Sequence, residues 1–460
     1  MTAVAAPSPE GAAGALVDHA LGLQWRDQSA AAQTAAKTFL HDTLCVGVAG
    51  SRAPNADAIL SVARAWGDGG TSTVLGRPGL TLPAPSAAFV NGFQIHCQEF
   101  DCVHEPAVLH PMATVLAALR AESERGQAYA GDDFLAAVMA GVDVAVALGL
   151  AATTPLKFFR PATAGVFGSV AALARLRGLD RATTLDAFGY ALAFASGTMQ
   201  AHVEGKPALP VQVAAAARSA LVAVDLALAG LKGAQHSIDG PFGYLSLFET
   251  GFDLDRILPP LAQTRRITEV SWKPFPTGRA AQGGLVAVAE LIQRHQLKAG
   301  DVEALTFRAP PLIQRLVGRP AKLGMDVAYA RLCLPWLAAV ALTLGEVGLA
   351  DFTPQRLGDP EILALAQRIV VVSDDSADPA AFVPLEAALR TRAGATLHAR
   401  VDAMLGAPSN PLTHAQHMAK ALRCLERAGL GALHQRLWAA VSSLDQASDV
   451  GAALSMAAPA

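Results

Sequence analysis

The chain has 460 residues, of which 52% are hydrophobic and 16% charged, with a formal net charge of −3. That length suffices for two or three domains and a large core, while the mildly acidic balance offers no basic stripe for phosphates and gives nucleic-acid binding no electrostatic support. The five cysteines, Cys45, Cys97, Cys102, Cys333 and Cys424, are odd in number, dispersed and without C-x-x-C spacing, which argues against a disulfide framework or structural zinc and fits a reducing cytoplasm.

In chain order, the opening MTAVAAPSPEGAAGAL lacks the basic region and apolar run of a signal peptide and is expected to be a disordered lead-in. From Ala12 to about Arg265, apolar residues recur at three and four, predicting helices over residues 34–48, 55–66, 133–150, 163–177, 184–196 and 211–229, with a short β excursion near 73–75. The most apolar windows, 134–152 and 211–230, are interrupted by Asp143 in one and by Arg218 and Asp225 in the other, so they are expected to be buried helices and not membrane spans. Near Arg266 the pattern changes. Residues 267–272, 302–307 and 369–372 are β-rich, residues 389–391 and 397–401 flank Gly394 like a hairpin, and helices are expected over 280–295 and 327–344. After the linker 406–411 the helical pattern returns over 414–428 and 430–444. The expected fold is mainly α with an inserted α+β domain: a helical domain over 1–265, completed by 405–460, carrying the insertion 266–404.

The stretch 86–111, SAAFVNGFQIHCQEFDCVHEPAVLHP, concentrates His96, Glu99, Asp101, Cys102, His104, Glu105 and His110 in a chain otherwise poor in charge. Ser86 is a candidate N-cap for a helix over 87–100, on which His96 and Glu99 share one face. Cys102 to His110 forms a loop, and Pro111 suits the first turn of the next helix. Crowded titratable groups are costly to bury unless they pair, bind a ligand or shift their pKa values, so this is a functional-site candidate. The plainer alternative for His96 is a satisfied core histidine. A metal held by Glu99, Asp101, His104 and His110 is chemically conceivable, but the spacing matches no known ligand signature, and no metal is assigned.

Further along, Arg160 in KFFRPATAG lies near a helix start together with Lys157, where it can either grip a carboxylate or pair with a protein acid. Lys206 in VEGKPALP occupies a short loop, where the plainer alternative is an ordinary solvated lysine. Lys273 in SWKPFPTGR is held in a stiff aromatic segment at the domain junction, followed by Arg279 at a helix start. Together Arg160, Lys206 and Lys273 can receive two or three carboxylates. No dinucleotide, P-loop or nucleophile-elbow motif occurs.

These segments, together with RPAKLGMDVAYARLCLPWLAAV and GAPSNPLT, taken in order over nearly the whole chain, resemble the MmgE/PrpD family, whose members include dehydratases, decarboxylases and epimerases of small polycarboxylates. The resemblance implies a helical domain built from both chain ends, an inserted α+β lid domain, an active site between them, homodimerisation through helices, and no metal or organic cofactor. It places the family's acidic motif on Glu99, Phe100, Asp101 and Cys102 with His110 and Pro111, its two lysines on Lys206 and Lys273, and its histidine on Arg160. Three positions depart from the pattern: Glu99 is a longer carboxylate, Cys102 lacks a charge, and Arg160 replaces a titratable ring with a permanent cation.

The function expected from the resemblance is proton abstraction beside a carboxylate of a di- or tricarboxylate, first as a hydro-lyase, with epimerase, isomerase or decarboxylase chemistry as alternatives. A non-catalytic carboxylate binder is a further alternative. The expected catalytic set is Glu99, Asp101, His110, Lys206 and Lys273, with His110 the first choice of acid or base because its ordinary pKa is nearest neutrality. Cys102, His104, Arg160 and Arg279 are expected substrate contacts.

Overall fold

The computed structural model describes residues 11–378 and 381–455. Part of the expected lead-in is helix, because the chain enters α1 (Gly11–Gly22) at once and buries Leu16 and Val17; residues 1–10 lie outside the described residues. Ser29 caps α2 (Ala30–Gly50) by accepting from the amide of Ala32. Then follow α3 (Ala56–Trp66), the two-residue strands β1 (Ser72–Thr73) and β2 (Thr81–Leu82), α4 (Ala84–His96), α5 (Pro111–Ser123) and α6 (Gly131–Ala151). The expected helix over 163–177 is preceded by a separate turn, giving α7 (Arg160–Thr163) and α8 (Gly165–Arg177). The remaining helices of this body are α9 (Arg181–Phe194), α10 (Gln200–Glu204), α11 (Ala208–Leu228) and α12 (Tyr244–Phe248).

Small residues let these helices approach closely. A Cβ at Gly141 of α6 would lie 2.8 Å from the carbonyl of Gly168 in α8, and one at Gly168 would lie 2.5 Å from the carbonyl of Gly141, so the crossing needs glycine on both sides. By length and composition α6 and α11 could each cross a membrane; the apolar window of α6 is 94% buried in the protein and that of α11 50%.

The smaller body holds α13 (Arg279–His295), β3 (Val302–Ala309), α14 (Pro311–Val317), α15 (Val327–Ala330), α16 (Leu334–Leu344), α17 (Pro354–Leu357), α18 (Pro360–Ala366), β4 (Ile369–Ser373), β5 (Leu385–Thr391) and β6 (Thr396–Val401). Its sheet runs β4-β3-β5-β6, with β3 and β4 parallel and the other two pairings antiparallel. The helix expected over 327–344 is broken, because Pro335 cannot donate into a preceding turn and instead opens α16. The strand expected over 267–272 is also absent. Arg266 to Glu269 form a 3-10 turn, pinned to α6 by Asp143, whose carboxylate accepts from the amide of Arg266 and from Arg265 Nη1 at 2.7 Å each. Only Ser271 pairs as a strand residue, in an isolated bridge to Val103.

α19 (His414–Arg427), α20 (His434–Ser442) and α21 (Val450–Ser455) return to the helical body. Ala421, Cys424 and Leu425 pack in the same hydrophobic cluster as α2 and α4, while residues from Ala280 to Ala407 form a second cluster around the sheet. The protein is therefore mainly helical with a smaller α+β body. Several polar contacts join the two: Arg331 donates to the carbonyls of Gln98 (2.7 Å) and Pro276 (2.6 Å), and Arg279 Nε donates to Glu105 at 2.7 Å.

Candidate active site

α4 stops at His96, short of the expected Phe100, and Ser86 lies within it; Pro83 precedes its first turn. Glu99 adopts φ +51°, a left-handed conformation uncommon for a residue with a side chain. Had the helix continued, Glu99 and Asp101, two positions apart, would have faced different sides. The turn instead brings both toward Lys273, whose Nζ lies 2.7 Å from Glu99 Oε2 and 3.9 Å from Asp101 Oδ1. Lys273 is fully buried.

Asp101 is the hub. Its Oδ2 lies 3.0 Å from Nδ1 of His96 and 3.1 Å from Nδ1 of His110, and a carboxylate only accepts, so both rings donate from Nδ1. His96 Nε2 stands 3.7 Å from Glu99 Oε1. Burial opposes ionisation of Asp101, but His110 and His96 outweigh it and hold the carboxyl well below its ordinary range. Burial likewise opposes ionisation of Glu99, and Lys273 with the two imidazoles brings it down to about 2. The two rings diverge: burial would lower His96, yet Asp101 and Glu99 raise it, whereas burial and Lys273 lower His110 against the pull of Asp101. His110 is thus neutral at physiological pH, with its proton on Nδ1 and a bare Nε2.

A cleft of about 560 Å³ opens beside this network, lined by Glu99, His110 and Phe159, by His202 of α10, and by Leu316 and Val317 of the smaller body. Possible metal-ligand atoms of His96, Asp101 and His110 lie within 4.8 Å of one another. Both Nδ1 atoms donate to Asp101, so a cation bound through those two nitrogens would have to break two hydrogen bonds and reverse both tautomers.

Other residues expected in the site lie elsewhere or are already engaged. Arg160 does not face the cleft: its guanidinium grips Glu249 through two buried hydrogen bonds of 2.8 and 2.9 Å and reaches the carbonyl of Ala107. Cys102 is fully buried away from the cleft, and burial pushes its thiol up. His104 staples its own loop, with Nδ1 accepting from the amide of Ala107 and Nε2 3.0 Å from Glu269. Arg279 borders the cleft but spends its donors on Glu105 and on the carbonyls of Trp272 and Leu405. Lys206 lies outside the cleft lining, on the surface, paired at 2.7 Å with Asp326 of the smaller body. Just before it, Gly205 has φ +65° and sits so close to Tyr329 that a Cβ would lie 2.5 Å from that residue's Cα.

Two groups escaped sequence reasoning. His202 lines the cleft and lies close to Arg319, with 3.4 Å between His202 Nδ1 and Arg319 Nη2. A titratable ring four positions before Lys206 was the only local sign of it. Glu249, the partner of Arg160, gave none.

Comparison with known proteins places this geometry in context. The MmgE/PrpD N-terminal domain matches residues 14–257, and the MmgE/PrpD C-terminal domain matches residues 275–446. The chain is 27% identical to cis-aconitate decarboxylase of Mus musculus over 398 residues, covering 82% of this chain and 79% of the relative. It is 26% identical to cis-aconitate decarboxylase of Homo sapiens over 394 residues, with 82% and 80% covered. A cis-aconitate decarboxylase-like protein of Aspergillus oryzae is 27% identical over 367 residues, with 75% and 76% covered.

Proposed function

Because the chain belongs to the MmgE/PrpD family, we propose that it is a lyase of small polycarboxylates that passes through a carbanion beside a carboxylate, with decarboxylation of a tricarboxylate as its reaction. The names of the relatives favour carbon–carbon cleavage over the hydro-lyase chemistry expected from the resemblance alone. The observation that carries the reading is His110, a neutral ring with bare Nε2 on a cleft wall, backed by Asp101 and by the buried charge of Lys273.

In such a decarboxylation the bond to one carboxylate breaks, carbon dioxide leaves, and the electron pair spreads over the remaining carbons to rest beside a second carboxylate. A proton then joins the carbon that holds the pair. Lys273, behind Glu99, supplies a fixed positive charge that is worth more in a water-poor site than in solvent. His110, bare at Nε2, takes up a proton from water to become an imidazolium and passes that proton from Nε2 to the carbon, returning to the neutral ring, while Asp101 holds its Nδ1–H and steadies the transient imidazolium. Substrate carboxylates need cations, yet Arg160 and Arg279 are held by protein acids. Lys206 differs, since its pair with Asp326 is exposed and a substrate carboxylate competes with it at little cost.

Dehydration and epimerisation start from the same carbanion-like state, so products decide among them. Incubating the protein in deuterated water with cis-aconitate, citrate, 2-methylcitrate, tartrate and iminodisuccinate, followed by proton NMR and carbon dioxide assay, tests the reading. Carbon dioxide release with deuterium at a single carbon is expected from the tricarboxylate. Absence of conversion and exchange with every acid, from about pH 5 to 9 where imidazoles titrate, would overturn it.

A further inference from the structure

Two imidazoles border the cleft, and they are held by partners of opposite kind. Asp101, an acceptor, takes the Nδ1 proton of His110 and leaves its Nε2 bare. Nδ1 of His202 instead meets Nη2 of Arg319. A guanidinium carries five N–H donors and no acceptor, so Nδ1 of His202 must accept, and the proton of the neutral ring sits on Nε2. Protonating the ring would set Nδ1–H against a second donor of the same charge.

We infer that His202 is a catalytic residue, a neutral imidazole donating its Nε2–H to the substrate carboxylate on which the carbanion's charge develops, with Arg319 as the positioning residue that fixes its tautomer. This rests on the lyase reading above. The cleft would then hold one ring that relays the proton and one that donates a hydrogen bond, the division that carbanion chemistry needs: the proton is handled at one site and the charge at another.

The surroundings of His202 agree with that role. Burial first, and Arg319 second, bring its pKa down to about 4; Arg315 acts in the same direction and Glu99 opposes them. A donor that stays neutral can stabilise charge without surrendering its proton. Arg319 is itself fixed, since Nη2 also donates to the carbonyl of Leu316 at 3.2 Å and the guanidinium lies 5.0 Å from the centre of the Tyr329 ring. Among the described residues no other group hydrogen-bonds the His202 ring, which leaves Nε2 for a ligand.

The test uses the full chain with ¹⁵N-labelled histidine. In long-range ¹H–¹⁵N spectra, the ring whose signals vanish in His202→Gln should show the Nε2–H tautomer, remain neutral down to about pH 5, and shift at Nε2 when the unreactive tricarboxylate tricarballylate is added. An Nδ1–H tautomer, titration near 6.5, or an Nε2 signal that tricarballylate leaves unmoved would overturn the inference. In turnover, His202→Ala should lose about a hundredfold in kcat, and His202→Gln, which keeps an N–H donor, should recover at least about tenfold of that. Arg319→Leu should move an acid limb up toward pH 6.5 by releasing His202 to titrate. If the wild type turns over and His202→Ala turns over equally well, this inference alone falls. If the wild type converts no polycarboxylate, the lyase reading falls and takes the catalytic role with it.

Discussion

Lys273 and Glu99 are 174 positions apart in the chain, yet their charged atoms meet at 2.7 Å in a place that solvent does not reach from the lysine side. Removing one partner of a buried pair strands the other charge, at about 3–5 kcal/mol. Lys273→Met should therefore lower the thermal midpoint strongly, and Lys273→Met with Glu99→Gln should restore much of it. Turnover should stay at least about a hundredfold down in both proteins, because the double variant regains stability and not the field. Calorimetry beside a turnover assay reads the two effects separately.

The pH response follows from the imidazoles. His110→Ala should lose about a hundredfold or more in turnover, and the wild-type acid limb should lie below the ordinary imidazole value because burial and Lys273 lower His110. Stability carries its own signature. His41 and His417, buried and 2.9 Å apart, are each lowered to about 3, largely by burial. Between about 6.5 and 3 the unfolded chain binds protons there that the folded chain refuses, so stability falls as the pH drops through that window. His96 works the other way: its raised pKa contributes stability that is present below about 6.5 and lost as pH rises through its folded value. Urea midpoints should fall as the pH drops from about 6.5 to 3, less steeply in His417→Gln, whereas His96→Gln should remove the gain in stability that the wild type makes as the pH falls toward 6.5 from above.

Arg160 offers a direct contrast between a structural and a substrate-binding cation. Its bidentate contact with Glu249 is buried on both sides, so Glu249→Gln or Arg160→Met should destabilise the fold by about 3–5 kcal/mol while leaving KM nearly unchanged in the protein that remains folded. A large rise in KM with an intact thermal midpoint would show instead that Arg160 reaches the substrate.

Lys206 is expected to behave in the opposite manner. It sits in an exposed ion pair, so Lys206→Ala should leave the thermal midpoint unchanged and raise KM about tenfold or more through loss of a carboxylate contact. Asp326→Asn, which frees the lysine, should lower KM. Equal kinetics in wild type and Lys206→Ala would remove the lysine from the reaction.

Assembly is the remaining expectation. The apolar window of α11 is only 50% buried, and Leu228 and Leu231 are 43% and 45% exposed at and beyond its end, so we propose a second copy of the chain as the cover. Sedimentation equilibrium should report a dimer, and paired Leu228→Asp and Leu231→Asp substitutions should shift it to monomer.

The helical body was legible because alanine-rich helices repeat their apolar residues at three and four, and the β5–β6 hairpin because Gly394 marks its turn. The end of α4 was not. Cys97 to Phe100 read acceptably as helix, and what stops the helix there is accompanied by a demand from far along the chain, the meeting of Glu99 with Lys273. The same asymmetry runs through the site. Glu99, Asp101 and His110 could be found because their chemistry is concentrated in one stretch, whereas the engagement of Arg160 depends on Glu249, 89 positions away, with no local sign. Asp143 illustrates the converse: a charge inside an apolar helix favoured a buried helix over a span, but its work of tying Arg265 and Arg266 to α6 appears only in three dimensions.

The close approach of Gly205 to Tyr329 turns that position into a doorstop between the two bodies. A methyl group there has no room between the two backbones and would also burden a left-handed residue, so Gly205→Ala would wedge the bodies apart while leaving every titratable group of the cleft in place. Such a propped protein would separate access from chemistry. Bulkier acids would gain entry, water would reach His110 and His202, and any remaining turnover would measure what the side chains accomplish without enclosure.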